Sequence, residues 1–248
     1  MGAESLRQVL SNGKRAAGAF WDAAAGWLMN ALLPKRALIY LKSRAQVVEK
    51  LDYRKRDIYL AVDSDIEYAT RLHSCEKERE MIRWIETFFG EGEVFFDVGA
   101  NVGAYSLVAA KFFGGAVKVY AFEPAFLNFA QLSRNVALNG CEDCVYPLPV
   151  ALSDETKLNT LYHNNLVPGG ALHAVGEAVD FKGEHFRAAL RSPVLAFRMD
   201  DLIREFALPV PNHLKIDVDG TEIKVLKGAE ATLSNPALKS VFVEIEEG

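Results

Sequence analysis

The stretch FFDVGANVGAYSLVAA, Phe95–Ala110, decides how the rest of the chain is read. Its apolar start predicts a buried strand over 93–98. The G-A-N-V-G that follows predicts a tight backbone turn, and the next apolar run predicts a helix over 103–113. Asp97 is the anomaly, an acid at the carboxyl end of an otherwise apolar strand. Left uncompensated there, its carboxylate costs several kcal/mol, so it is expected to accept hydrogen bonds or face a cation. The alternative is a buried acid that caps the start of the helix.

Outward from this stretch, strand and helix patterns alternate. Strands are expected at 117–122, 145–152, 194–198, 213–218 and 238–245, and helices at 125–139, 200–206 and 221–233. That succession predicts an α/β domain, a doubly wound parallel sheet with right-handed crossovers and order 3-2-1-4-5. Upstream, EKEREMIRWIETFFG reads as a helix burying Met81, Trp84, Ile85 and Phe88, and residues 50–64 read as a hairpin. Between Asp154 and Ser192 periodicity fades, which predicts a long irregular insertion.

Ligands of such sheets bind beyond the carboxyl ends of the strands. Glu123, in VYAFEP, ends the second strand twenty residues after Gly103, where a carboxylate can hold two ribose hydroxyls. A nucleoside ligand is therefore expected. A nicotinamide site is the rival, but its G-x-G-x-x-G differs from the D-x-G-x-N-x-G found here, and Asp97 would repel a pyrophosphate. S-adenosylmethionine, with an amino-acid portion and a positive centre, suits the pattern better. The structural alternative for Glu123 is a surface acid before Pro124.

DVGANVG, YAFEP with LSRNVALNG, VALSDE and HLKIDVDGTEIKVLKGAE together resemble the FkbM family of S-adenosylmethionine-dependent methyltransferases, over about Cys75 to Glu247. The resemblance implies a Rossmann-like class I methyltransferase sheet. It implies that Asp97, Gly99, Asn101, Gly103 and Tyr105 line the methionine and ribose part of the cofactor, that Glu123 holds the ribose, and that Ala151 and Asp154 approach the adenine. It also implies acceptor hydroxyls on sugars, glycolipids or polyketide-like metabolites. Asp219 stands where the family commonly has Glu. The chain stops at Gly248, before the helix and final β-hairpin usual in the family, so a C-terminal hairpin is expected to be missing.

In HLKIDVDG, Leu214, Ile216 and Val218 alternate with Lys215, Asp217 and Asp219. A central strand has both faces covered, so the two acids are expected to emerge at the strand end with Lys215 compensating nearby. An internal salt-bridge cluster is the structural alternative. Methyl transfer from a sulfonium requires alignment of the acceptor oxygen and removal of its proton. The expected catalytic residues are Asp217 as base, Lys215 as its orienting or acceptor-binding partner, and Glu222 at the following helix start. Asp217, Asp219 and Glu222 holding magnesium or calcium is an alternative. The leading expectation is a site without metal.

The formal charge of −5 hides an asymmetry: residues 1–60 carry eleven Lys or Arg against five Asp or Glu. Three expected regions follow, a basic amphipathic helical region over 1–48, an accessory hairpin over 49–74 and the methyltransferase domain over 75–248. Within the first, Ala16 to Leu33 is apolar, but Asp22 and its many alanines weigh against a membrane span. A docked helix is expected, with peripheral membrane contact through its basic flanks as the alternative. No nucleic-acid partner is expected, and three scattered cysteines favour a reducing, cytoplasmic location. Cys141 and Cys144 lack the further ligands of a zinc site. His163 and His173, in the insertion, read as exposed loop residues that could contact an acceptor, and His185 and His213 as structural or exposed. Phe126 reads as core or as an adenine flank. A non-catalytic nucleoside-binding module tethered to a membrane or partner is the alternative to an enzyme.

Overall fold

The computed structural model describes residue 28, residues 31–179 and residues 182–244, so most of the apolar N-terminal segment lies outside the described residues. The chain divides into two compact units, 1–46 and 47–248. The first contains helix α1, Lys35–Arg44, with Lys42 and Arg44 in its last turn, where positive charge suits the helix dipole. No helix among the described residues is long and apolar enough to cross a membrane.

The second unit opens with strands β1 (Val48–Lys50) and β2 (Tyr59–Ala61), an antiparallel hairpin. Short helices α2 (Asp65–Ala69) and α3 (Ser74–Lys77) lead into α4 (Arg79–Phe88). The main domain then runs β3 (Val94–Val98), α5 (Ala104–Phe112), β4 (Lys118–Phe122), α6 (Phe126–Leu138) and β5 (Val145–Leu148). Strands β6 (Ala151–Leu152), β7 (Lys157–His163), β8 (Ala174–Val175) and β9 (Leu190–Phe197) follow. The chain continues through α7 (Met199–Phe206), β10 (His213–Ile216), α8 (Glu222–Gly228), α9 (Glu230–Leu233) and β11 (Ser240–Val243).

The five-stranded sheet has the order β11-β10-β3-β4-β5, all parallel, which is the expected 3-2-1-4-5 arrangement read from its other edge. Every residue of β3 is buried. Its alternation splits the core in two: Phe95 packs with Trp84, Phe89 and Leu107 on one face, while Val94, Phe96 and Val98 pack with Met199, Leu214 and Val225 on the other. The parallel register sets Lys215 beside Asp97, so two charges meet inside the first face.

Four expectations are corrected. Phe89, not Phe88, enters the core: the former is 7% exposed and stacks on His213 with ring centroids 4.0 Å apart, the latter is 60% exposed. The strand expected over 145–152 breaks at Pro149, which offers no N–H to a ladder, and β6 joins a second sheet. The insertion is irregular only in part: β7, β8 and β9 complete that second sheet in the order β6-β9-β7-β8, while 164–173 stays outside any strand. Its periodicity is weak because the sheet encloses few apolar groups, and mostly small ones: Ala125, Ala151, Leu161, Val194 and Ala196. The helix expected over 221–233 is interrupted at Ala229.

Helix α6 binds the remaining parts together through buried amides on one stripe. Asn135 Oδ1 accepts the Ala61 N–H at 2.8 Å and Asn139 Oδ1 the Tyr59 N–H at 2.9 Å, so the helix satisfies the outer edge of β2. Gln131 donates to Glu67 at 2.7 Å, and Asn128 reaches the insertion. The expected accessory hairpin thus sits within the same compact unit as the sheet.

Candidate active site

A cavity of about 570 Å³ opens beyond the carboxyl ends of β3, β4, β10 and β11. Its floor comes from the sequence pattern of β10. Lys215, 1% exposed, extends along the sheet face toward the strand ends, and its Nζ lies 3.2 Å from Asp97 Oδ1 and 3.2 Å from Asp217 Oδ2. It also donates to the Gly99 carbonyl at 3.1 Å. Burial alone would lower the Lys215 ammonium, but Asp97 and Asp217 outweigh it and hold the group above its usual range. The cation that Asp97 faces is therefore internal. Ser106 donates to its Oδ2 at 2.6 Å, and its Oδ1 has the ion pair without an aligned hydrogen bond.

The glycine turn is shaped by the same strand. At Gly99, φ is +77°, and a Cβ would lie 1.7 Å from the Asp217 carbonyl oxygen. Only a bare backbone lets β3 pass this close to the end of β10. Gly103, at φ +88°, answers to packing instead, since a Cβ would meet Leu132 Cδ1 at 2.5 Å.

Glu123 stands at the end of β4, 5% exposed. Its two oxygens accept the Asn101 and Ala125 N–H groups, each at 2.8 Å. Burial pushes the carboxyl up to about 7 against the pull of those hydrogen bonds. Each oxygen keeps a lone pair for a further donor. Asn101, at φ +49°, donates through Nδ2 to the Gly170 carbonyl at 2.9 Å, and its buried Oδ1 has no partner.

The Pro168–Leu172 stretch of the insertion roofs this end. Asn128 accepts the Gly169 N–H and donates to the Gly170 carbonyl, both at 2.9 Å, and Arg71 donates to the Gly169 carbonyl at 2.9 Å. Asp219, at φ +55°, accepts the Leu172 N–H at 2.7 Å. Burial, then the charge of Asp217, pushes Asp219 up to about 6.

Of the residues nominated from sequence, Gly99, Asn101, Glu123, Ala151, His173, Asp217, Asp219 and Glu222 line the cavity. Asp97, Gly103, Tyr105, Asp154 and Lys215 are not among the lining residues. Tyr105 is 8% exposed, donates to the Ser74 carbonyl at 3.3 Å, and has the Lys215 Nζ 5.6 Å from its ring centroid. Asp154 turns away: its carbonyl accepts from Arg198 at 3.0 Å and its Oδ1 from Ser153 at 3.0 Å. Glu222 Oε1 accepts the Val218 and Gly220 N–H groups at 3.2 and 3.0 Å, bracing the turn into α8.

Sequence reasoning missed Glu78, Asn128 and Glu244, which also line the cavity. A signal existed for Asn128, the first of the polar stripe on α6. None existed for Glu78 and Glu244, which look like ordinary surface acids beside their elements. Burial, then Asp217, pushes Glu244 up to about 7. Two histidines are corrected: His163 is 2% exposed and His173 half-buried, where burial pushes it down to about 4, whereas His213, fully buried against Ser240 and Glu93, is structural. Phe126 is 46% exposed and meets His163 edge-on. Among the described residues no group of three or more His, Cys, Asp or Glu has the geometry to hold a metal ion, and that includes Asp217, Asp219 and Glu222. Cys141 and Cys144 are buried free thiols.

The cavity fits an adenosyl sulfonium in three respects. Glu123 offers two acceptor oxygens at a strand end, Asn101 Oδ1 is an orphaned acceptor, and Val98, Phe122, Val150, Leu152 and Leu161 give apolar walls. Comparison with known proteins agrees. The chain is 35% identical over 154 residues to the methyltransferase sdnD of Sordaria araneosa, covering 54% of this chain and 59% of that one. It is 27% identical over 184 residues to the hexuronic acid methyltransferase AglP of Haloferax volcanii, covering 74% and 68%. It is 28% identical over 174 residues to the 31-O-demethyl-FK506 methyltransferase FkbM of Streptomyces tacrolimicus, covering 63% and 66%. The chain thus spans about six tenths to two thirds of the length of these relatives. The family model of the methyltransferase FkbM domain matches residues 97–248, from the buried aspartate of β3 through the charged β10, and the chain belongs to that family.

Proposed function

We propose that the chain is an S-adenosylmethionine-dependent methyltransferase acting on a hydroxyl oxygen of a sugar, glycolipid or secondary metabolite. The observation that carries this reading is one cavity with Glu123 at one end and Asp217, steadied by Lys215, at the other. The names of two relatives, a hexuronic acid methyltransferase and a 31-O-demethyl-FK506 methyltransferase, support oxygen as the accepting atom.

S-adenosylmethionine, when bound, supplies an electrophilic methyl carbon for in-line displacement. Glu123 holds the ribose hydroxyls, and Asn101 Oδ1 accepts a further donor from the ligand. Asp217 receives the acceptor's proton as its oxygen attacks. Lys215 keeps the Asp217 carboxylate in place through Oδ2, and Asp97 fixes Lys215 from below. The Pro168–Leu172 roof excludes water from the adenosyl end.

The test is a screen for labelled methyl incorporation into hydroxylated glycans and metabolites, repeated with Asp217→Asn. Incorporation that falls at least about a hundredfold in the variant supports the reading. Absence of label from every hydroxylated compound, or an Asp217→Asn protein as active as the parent, overturns it.

A further inference from the structure

We infer that the acceptor is a polyhydroxylated molecule without negative charge, a neutral glycoside rather than an anionic one, because the cavity end around Asp217 is walled by carboxylates from separate elements. This deepens the methyl-transfer reading and rests on it. Six carboxylates line the cavity against two cations, Arg71 and Lys77. The cations offset the imbalance at the acceptor end only in part, through Lys77. Arg71 is committed to the Gly169 carbonyl, and Lys77 is 3.2 Å from Glu78. Lys215 lies beneath the floor, its one charge shared between Asp97 and Asp217.

The carboxylates do different work. Glu123 serves the adenosyl end, Asp219 holds the roof through Leu172, and Glu222 braces its own turn. Three are left for the acceptor: Glu78 ahead of α4, Asp217 after β10 and Glu244 after β11. They lie near one another. Glu244 feels the charges of both Asp217 and Glu78, and Tyr105 feels those of Glu78 and Asp217. The sheet explains part of this, since β10 and β11 run in parallel with Ile216 beside Val243, so the next residues, Asp217 and Glu244, leave the sheet side by side.

Ionised carboxylates are acceptors only, which matches a ligand rich in O–H donors. A carboxylate or phosphate on the acceptor close to the reacting hydroxyl would instead meet like charge in a partly desolvated site. The hexuronic acid named for one relative is therefore not expected to transfer to this chain.

The test uses the full chain saturated with S-adenosylhomocysteine and two matched probes, a methyl hexoside and the corresponding methyl hexuronoside. Binding is read by saturation-transfer NMR titration at pH 8. The expected result is that the neutral probe binds about 30-fold more tightly than the hexuronoside, the size of one like-charge contact at roughly 8 Å with an effective dielectric of about 20. In Glu78→Gln/Glu244→Gln protein this ratio falls below about threefold, and Glu78→Gln alone, at a side chain 22% exposed, lowers it partway should the double variant not fold. Hexuronoside binding within about threefold of the neutral probe, a ratio unchanged by the substitutions, or no glycoside bound by protein that binds S-adenosylhomocysteine, each overturns the inference. Failure to bind S-adenosylhomocysteine instead overturns the reading on which it rests.

Discussion

Replacement of Lys215 by methionine removes the cation beneath the site while keeping most of the length of the side chain. In the folded chain the side chains of Lys215 and Asp97 are each 1% exposed, so Asp97 is left as an uncompensated buried carboxylate. Removing one partner of such a pair costs about 3–5 kcal/mol. Asp217 adds little to that figure, because its side chain is 30% exposed and water screens it. At about 2–4 °C per kcal/mol for a domain of this size, the melting midpoint is expected to fall by roughly 6–20 °C. The double variant Lys215→Met/Asp97→Asn removes both charges and keeps an acceptor for the Ser106 hydroxyl, so it is expected to recover more than half of the loss. Urea unfolding followed by circular dichroism at pH 8 measures both. A single variant within about 1 kcal/mol of the parent, or a double variant no better than the single, refutes the argument that this pair is the buried electrostatic anchor of the site.

Gly99→Ala forces a Cβ to within 1.7 Å of the Asp217 carbonyl and is expected to cost about 3 kcal/mol or more, whereas Gly92→Ala, also at positive φ but in open space, costs about 1. Equal losses in the two, by thermal denaturation, count against a close approach of β3 to the end of β10. Asn128→Ala removes both hydrogen bonds to the Gly169–Gly170 roof and is expected to speed amide exchange at Gly169 and Leu172 by at least tenfold; unchanged exchange means the roof is held by other means. Because burial raises Glu123 from 4.5 to about 7, S-adenosylhomocysteine affinity is expected to be level above about pH 8 and to fall up to tenfold per unit below 7, as the carboxylate that holds the ribose is protonated. The same shift acts on folding with the opposite sign: its stabilising contribution is present below 4.5 and is lost as pH rises through about 7. Calorimetric titrations from pH 5.5 to 8.5 check the first statement, and an affinity that rises toward acid contradicts it.

The main sheet was legible because its strands are apolar on both faces and its helices follow at regular pitch, so residues such as Phe95 and Phe96 announce two cores at once. The second sheet was not, because β7 and β9 bury one face only, in a cluster of few residues, and alternate too weakly to stand out. Glu123 and Asp217 stood out as candidates by their position at strand ends, and both line the cavity. Glu244 and Glu78 gain their place from the parallel pairing of β10 with β11 and from the approach of α4, neither of which has a local signature. The partner of Asp97 was recoverable in part: the expected compensation by Lys215 needed only the register that sets it beside Asp97. The polar stripe Asn128, Gln131, Asn135 on α6 was visible as a spacing but has meaning only once the hairpin and the roof are known to lie against it.

The central claim is that the cavity at the mouth of the sheet holds an adenosyl ligand through Glu123. Isothermal titration of the full chain with S-adenosylhomocysteine tests it most directly, with Glu123→Ala and NAD as comparisons. The account predicts micromolar binding, about −8 kcal/mol, at least tenfold weaker in the variant, and no heat from NAD. No binding of S-adenosylhomocysteine, or binding that is indifferent to the loss of Glu123, contradicts it.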